Sequence, residues 1–173
     1  MSPEANKPKS IAGKLCVQLA TLFGIGTIPK CPGTAASLLT LPIAYILASK
    51  GWVFYLAVTS FVTILAVPIC DRAAKLLGGG DPSCIVLDEL SGMLISYAPL
   101  SYFSFDVHLS LMLAIPVFWF RIFDIWKPGV VGKVQTIKGG WGIVLDDVIA
   151  GIFAAIANII SFLGITRIFM SKY

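Results

Sequence analysis

The stretch VHLSLMLAIPVFWFRIFDIWKP, residues 107–128, decides how this chain is read. From Val107 to Trp126 it is almost wholly apolar and long enough to cross a bilayer, which takes about 20 such residues. Near its end stand Arg121 and Asp124. Three residues apart on a helix, they share one face. In a soluble core such a pair would be an ordinary salt bridge. Inside a membrane it is costly, and therefore a functional pair by default.

The rest of the chain agrees with the membrane reading. Of 173 residues, 57% are hydrophobic and only 13% charged, where soluble domains carry roughly 25% charged residues. The mean hydropathy is +0.89. Further spans are expected at Val53–Ile69, Leu90–Phe105 and Ile143–Ile168 beside Val107–Trp126. Ala35–Ser49 is shorter, about 22 Å of helix against a hydrocarbon core of about 30 Å, and either crosses at a tilt or re-enters. Lipid excludes open sheet edges, so the fold class is all-α: a polytopic integral membrane helical bundle of four to five spans. Pro99 and Pro116 are expected to kink their spans. Residues 1–14 read as a flexible polar tail and 15–173 as one membrane-embedded domain. No signal-peptide pattern follows the tail. The four cysteines, Cys16, Cys31, Cys70 and Cys84, show no CxxC or metal spacing and read as reduced and structural.

Five crossings from a cytoplasmic N-terminus place Lys7, Lys9, Lys14, Lys30, Arg72, Lys75, Arg121, Lys127, Lys133 and Lys138 on the cytoplasmic side. Only Lys50, Arg167 and Lys172 fall opposite, so the positive-inside rule favours this orientation. Asp71, Asp81, Asp88, Glu89, Asp124, Asp146 and Asp147 fall on the same face, while Asp106 and the lone His108 fall on the other.

Four polar clusters stand at expected helix ends: IPKCPGT (28–34), VLDELSG (86–92), FRIFDIWKP (120–128) and KGGWGIVLDDVIAG (138–151). Together they bring five carboxylates and several cations to one membrane face. Crowded carboxylates repel unless a cation neutralises them, oxygen-only ligands suit Mg²⁺, and neighbouring cations suit a phosphate. Each cluster has a plainer reading as well. Acidic residues at a helix start are favoured by its dipole, basic ones at a membrane end are topology signals, and glycines permit tight turns.

Several phosphatase chemistries are excluded. No cysteine is followed by arginine six positions on, there is no DxD pair, and the single histidine cannot serve a histidine-dependent mechanism. Metal-assisted attack with a carboxylate base remains. Against it stand a small membrane transporter and a non-catalytic membrane subunit. The gathering of charge at one face, rather than the midplane, and the lack of an inverted repeat count against a transporter.

The stretches GIGTIPKCPGTAASL (24–38), IVLDELSG (85–92), FRIFDIWKP and KGGWGIVLDDVIAG, in this order, resemble the phosphatidylglycerophosphatase A family. The resemblance implies a Mg²⁺-dependent integral membrane phosphatase of the bacterial inner membrane. Its expected reaction converts phosphatidylglycerophosphate to phosphatidylglycerol, with the active site facing the cytoplasm and no nucleic-acid partner. It also gives provisional roles. Glu89, Asp124, Asp146 and Asp147 become catalytic and metal-binding residues, with Asp88 a ligand or a partner of one. Lys30, Thr34, Arg121, Lys127 and Lys138 become contacts to the substrate phosphate. Gly129 and Ala36 depart from the family's usual proline and glycine, which touches loop geometry rather than charge.

Overall fold

A computed structural model describes residues 10–103, 107–127, 129, 134 and 136–170. Lys7, Lys9, Asp106, Lys133 and Lys172, assigned to membrane faces above, lie outside the described residues, as does most of the N-terminal tail. Every regular element among the described residues is helical. They are α1 (Ile11–Ala20), a 3₁₀ turn (Ile25–Thr27), α2 (Pro32–Ala48), α3 (Trp52–Leu76), α4 (Leu87–Tyr97), α5 (Pro99–Tyr102), α6 (Leu109–Trp126) and α7 (Gly140–Met170).

Three of these, α3, α6 and α7, are long and apolar enough to cross a membrane. Their outward faces carry exposed Phe54, Phe61, Ile64, Phe118, Ile152, Ile156 and Ile160, which lipid would cover and water would not. Indole and phenol rings mark both ends, Trp126 and Trp141 at one and Trp52 packed edge-on against Tyr102 at the other. That is where amphipathic rings meet the interface.

The expected span Leu90–Phe105 takes a different form. Pro99 has no N–H to give to Ile95, and the helix breaks at Ala98 into α4 and α5. The eleven residues of α4 rise only about 16 Å, too little for a bilayer. Instead α4 is the centre of the bundle, packed against α2, α3, α6 and α7. Its residues Leu87, Asp88, Ser91, Gly92, Met93, Leu94, Ser96 and Tyr97 are all buried. Polar and small residues explain this placement. Gly92 lets α7 approach so closely that a Cβ would meet the Asp147 carbonyl and the Phe120 ring. Ser96 donates to the Pro116 carbonyl of α6 (3.1 Å) and its own carbonyl accepts from Asn158 Nδ2 of α7 (2.8 Å). Tyr55 of α3 donates to the Leu94 carbonyl (2.7 Å). Small residues and interhelical hydrogen bonds are the means by which helices associate where no water drives them together.

Helix α2 begins at Pro32, three residues before the expected Ala35. It buries Gly33, Ala36, Ser37, Thr40, Leu41 and Ala44, one helical stripe of mostly small residues, and leaves Leu38, Leu39, Ile43 and Ile46 outward. Helix α1 starts at Ile11, inside the stretch read as tail. The Val86 N–H bonds to its terminal Ala20 carbonyl (2.9 Å), and Gly26 lies flat on the Cys84 carbonyl. The loop entering α2 is thereby braced against the segment entering α4.

Candidate active site

The start of α2, the start of α4, the end of α6 and the opening turns of α7 converge at one end of the bundle. Between them lies a cavity of about 380 Å³. Asp88 and Glu89 reach it from α4, Arg121 and Asp124 from α6, and Asp146 and Asp147 from α7. Thr34 from the first turn of α2, and Lys30 and Lys127 from the adjoining turns, complete its wall. All five carboxylates singled out in the sequence therefore line one space, with four of the five phosphate-contact candidates.

The pair that opened the sequence reading is formed: Arg121 Nη1 lies 2.7 Å from Asp124 Oδ2. The same nitrogen lies 3.3 Å from Glu89 Oε2, joining α6 to α4. Arg121 Nε is buried without a hydrogen-bond partner. Lys127 Nζ stands 2.7 Å from Asp146 Oδ2, and the Asp147 N–H donates to Asp146 Oδ1 (3.1 Å). Lys127 ends α6 with φ of 45°, and Lys30 has φ of 76°, so two of the site's cations sit in left-handed backbone normally left to glycine or asparagine. Such strain costs about 1–2 kcal/mol per residue and clusters at functional sites.

Electrostatics at the start of α4 are governed by burial. Burial, then the neighbouring Glu89 carboxylate, pushes the Asp88 carboxyl well above the usual carboxylate range. Burial pushes Glu89 up to about 7, outweighing the opposing pull of the Arg121 guanidinium. For Lys127 burial would lower the ammonium, but its contact with Asp146 prevails and holds it above the usual lysine range. Gly33 makes room for this arrangement, since a Cβ there would overlap the Glu89 carboxylate.

The donor chemistry suits a hard cation: oxygen ligands only, with Asp88 Oδ1 buried and without a partner. Among the described residues, however, no group of three His, Cys, Asp or Glu side chains is arranged as it stands to hold a metal ion. Arg121 and Lys127 hold three of the carboxylates, Glu89, Asp124 and Asp146, in ion pairs. Asp88 and Asp147 are buried and free of such pairs.

Lys138 stands elsewhere. It lines a neighbouring cavity of about 420 Å³ with Asp71, Lys75 and Gly139. The reason is the seat of α7: the Gly140 N–H donates to Asp71 Oδ1 at the end of α3 (3.2 Å), which carries the KGG turn to the α3 side. Asp71 also pairs with Lys75 (2.6 Å), so its role is to cap α7. Asp81 lines both cavities and was not among the site candidates read from sequence. Its sequence signals were its place on the same membrane face as the other carboxylates and its position just after Gly78–Gly80.

The model of the family Phosphatidylglycerophosphatase A matches residues 18–162. The chain is 34% identical over 147 residues to Phosphatidylglycerophosphatase A of Escherichia coli, covering 84% of this chain and 81% of that protein. Its counterpart in Haemophilus influenzae is 34% identical over 140 residues, covering 80% and 83%. A Bacteroides thetaiotaomicron protein, provisionally named a phosphatidylinositol-3-phosphatase, is 32% identical over 158 residues, covering 82% and 90%. No solved structure matches.

Proposed function

The chain belongs to the phosphatidylglycerophosphatase A family, phosphatases of phosphoric monoesters, and from that premise we propose that it hydrolyses phosphatidylglycerophosphate to phosphatidylglycerol and phosphate. The work is done at the cytoplasmic face of the bacterial inner membrane, with Mg²⁺ as cofactor. One observation carries the assignment of the site. Asp88, Glu89, Asp124, Asp146 and Asp147 share a cavity with Lys30, Arg121 and Lys127 where two membrane-length helices, α6 and α7, meet the starts of α2 and α4.

Asp88 and Asp147 would hold the ion, with Glu89, Asp124 and Asp146 the other carboxylates of the same cavity. Mg²⁺ bound there supplies neutralisation of the phosphoryl oxygens and orders the attacking water, the effects on which phosphomonoester hydrolysis depends most. Arg121 offers a planar, already desolvated fork to the phosphate and is held in place by Glu89 and Asp124. Lys127 and Lys30, fixed by their backbone turns, and the Thr34 hydroxyl add contacts from the other walls. A carboxylate of the cavity takes the proton of water as it attacks.

The described cations support this orientation. Lys14, Lys30, Arg72, Lys75, Arg121, Lys127 and Lys138 belong to the site's end of the bundle, and Lys50 and Arg167 to the other. Under the positive-inside rule this distribution supports a cytoplasmic site. The lipid keeps its acyl chains in the bilayer and presents only its head.

Phosphate release by the purified chain in detergent, with and without Mg²⁺, tests this reading. An Asp146→Asn/Asp147→Asn double variant and phosphatidylinositol 3-phosphate as second substrate belong beside it. Mg²⁺-dependent release from phosphatidylglycerophosphate, lost in the variant, is expected. Release that survives EDTA removes the metal site, and preference for the inositol lipid changes the head group.

A further inference from the structure

On the outward face of α6 lies a groove of about 400 Å³, lined by Val117, Phe118, Arg121, Ile122, Ile125 and Trp126. Apart from Arg121 its lining is apolar. Arg121 and Ile125 also line the acidic cavity, so the groove and the cavity share a wall. We propose that this groove seats an acyl chain of the substrate lipid and guides the head over Arg121 into the cavity, so that substrate enters sideways across α6. The proposal rests on the phosphatase reading above and adds to it a route and a chain-binding surface.

Three features favour this occupant. Helix α6 is membrane-length and its groove faces outward, with Phe118, Ile125 and Trp126 each more than half exposed, so lipid is what it meets. The junction of groove and cavity is occupied by a guanidinium on an apolar stem, which can lie along a chain and hold an anionic head at once. Trp126, the last residue of α6, lines the groove at the helix end nearest the acidic cavity, where an indole suits the membrane interface. A second apolar groove, of about 350 Å³, runs along α3 and α4 past Leu56, Ser60, Ile64 and Ile95. It shares no residue with the acidic cavity and so serves as an internal control.

The test compares Ile122→Trp, which fills the groove, with Ile64→Trp, which fills the control. Each is assayed as the full chain on long-chain phosphatidylglycerophosphate in mixed micelles and on the same headgroup without acyl chains. Ile122→Trp is expected to raise KM for the long-chain lipid on the order of tenfold, what losing burial of about two methylenes amounts to. Its rate on the deacylated substrate, and both rates of Ile64→Trp, stay at the wild-type level. Phe118→Ala, which widens the groove without adding bulk, should shift KM in the same selective way. Equal losses on both substrates, or no change on either, overturn the groove, the second outcome meaning ordinary lipid contact. A change of oligomeric state in Ile122→Trp would overturn it in favour of a second copy. If the wild-type chain releases phosphate from neither substrate, it is the phosphatase reading that fails, and the groove with it.

Discussion

The guanidinium of Arg121 on α6 reaches the Glu89 carboxylate on α4, Nη1 to Oε2 at 3.3 Å, while holding Asp124 on its own helix at 2.7 Å. One side chain thus ties the buried central helix to a membrane-length one at the level of the proposed site. All three side chains are less than one-fifth exposed, so the group left by breaking the cluster has little water to turn to. Lysine in this place has a single ammonium and no fork. Arg121→Lys should fold, insert, and lose on the order of 10²-fold in kcat, the scale for removing one preorganised donor. Arg121→Ala, which strands two carboxylates, should in addition lose about 3–5 kcal/mol of stability. Phosphate release and thermal unfolding in detergent separate the two effects.

Asp124→Asn keeps the size of the side chain but removes its charge and replaces one acceptor oxygen by a donor. It is expected to abolish turnover while leaving insertion in the membrane unchanged. Turnover close to wild type would falsify a place for Asp124 in the chemistry.

Mg²⁺ should stabilise the fold as well as support turnover. Ion bound only to the native state adds about 2.7 kcal/mol at a hundredfold excess over its Kd. Titration of Mg²⁺ into EDTA-treated protein should therefore raise the melting temperature. The rise should vanish in Asp88→Asn and Asp147→Asn, the buried carboxylates not engaged by Arg121 or Lys127. A melting temperature indifferent to Mg²⁺ would leave these carboxylates without a metal role.

The charged elements of the site were legible in sequence because intramembrane charge has so few purposes. Arg121 with Asp124, and Asp146 with Asp147, stand out from apolar runs, and the spacing of Arg121 and Asp124 already implied a shared face. The three long spans were legible for the same reason, as unbroken apolar length. What escaped was packing that depends on partners distant in sequence. Leu90–Phe105 has the hydropathy of a span, but whether a span crosses or is buried depends on Gly92 meeting α7 and Ser96 meeting Pro116 and Asn158. Lys138 sits beside two glycines and close to the acidic pair in sequence. Only the Asp71 cap on Gly140 reveals that it faces the other cavity.

The glycines at the close contacts give a graded test of that packing. At Gly92 a methyl meets backbone of α7 and a buried ring, neither of which can step aside. Gly92→Ala should lose about 1–3 kcal/mol of stability, as overpacked sites do. At Gly33 the obstacle is the end of the Glu89 side chain, which can swing away. Gly33→Ala should keep its melting temperature yet lose activity, because Glu89 no longer supports Arg121. Gly164, inside α7 with open space around it, should gain roughly 0.5–1 kcal/mol on change to alanine. Unfolding curves and phosphate release on the three variants check the order.

Lys127 and Lys138 separate the two cavities by function. Lys127 faces Asp146 at 2.7 Å within the acidic cavity, on a strained turn whose maintenance costs folding energy. Lys138 lies in the neighbouring cavity with Lys75 and Asp71, on an exposed turn. If the acidic cavity is where phosphate is cleaved, Lys127→Ala removes a charge from the developing phosphoryl oxygens and unbalances Asp146. A loss on the order of 10²-fold in kcat/KM is the scale for such a contact. Lys138→Ala leaves every ion pair of the acidic cavity intact and should change kcat/KM by less than about threefold, a shift under roughly 0.7 kcal/mol. Measuring both under saturating Mg²⁺ keeps metal affinity out of the comparison. The reverse order, with Lys138 the sensitive position, would move the phosphate to the cavity between α3 and α7 and make Asp81, which borders both, the residue to examine next.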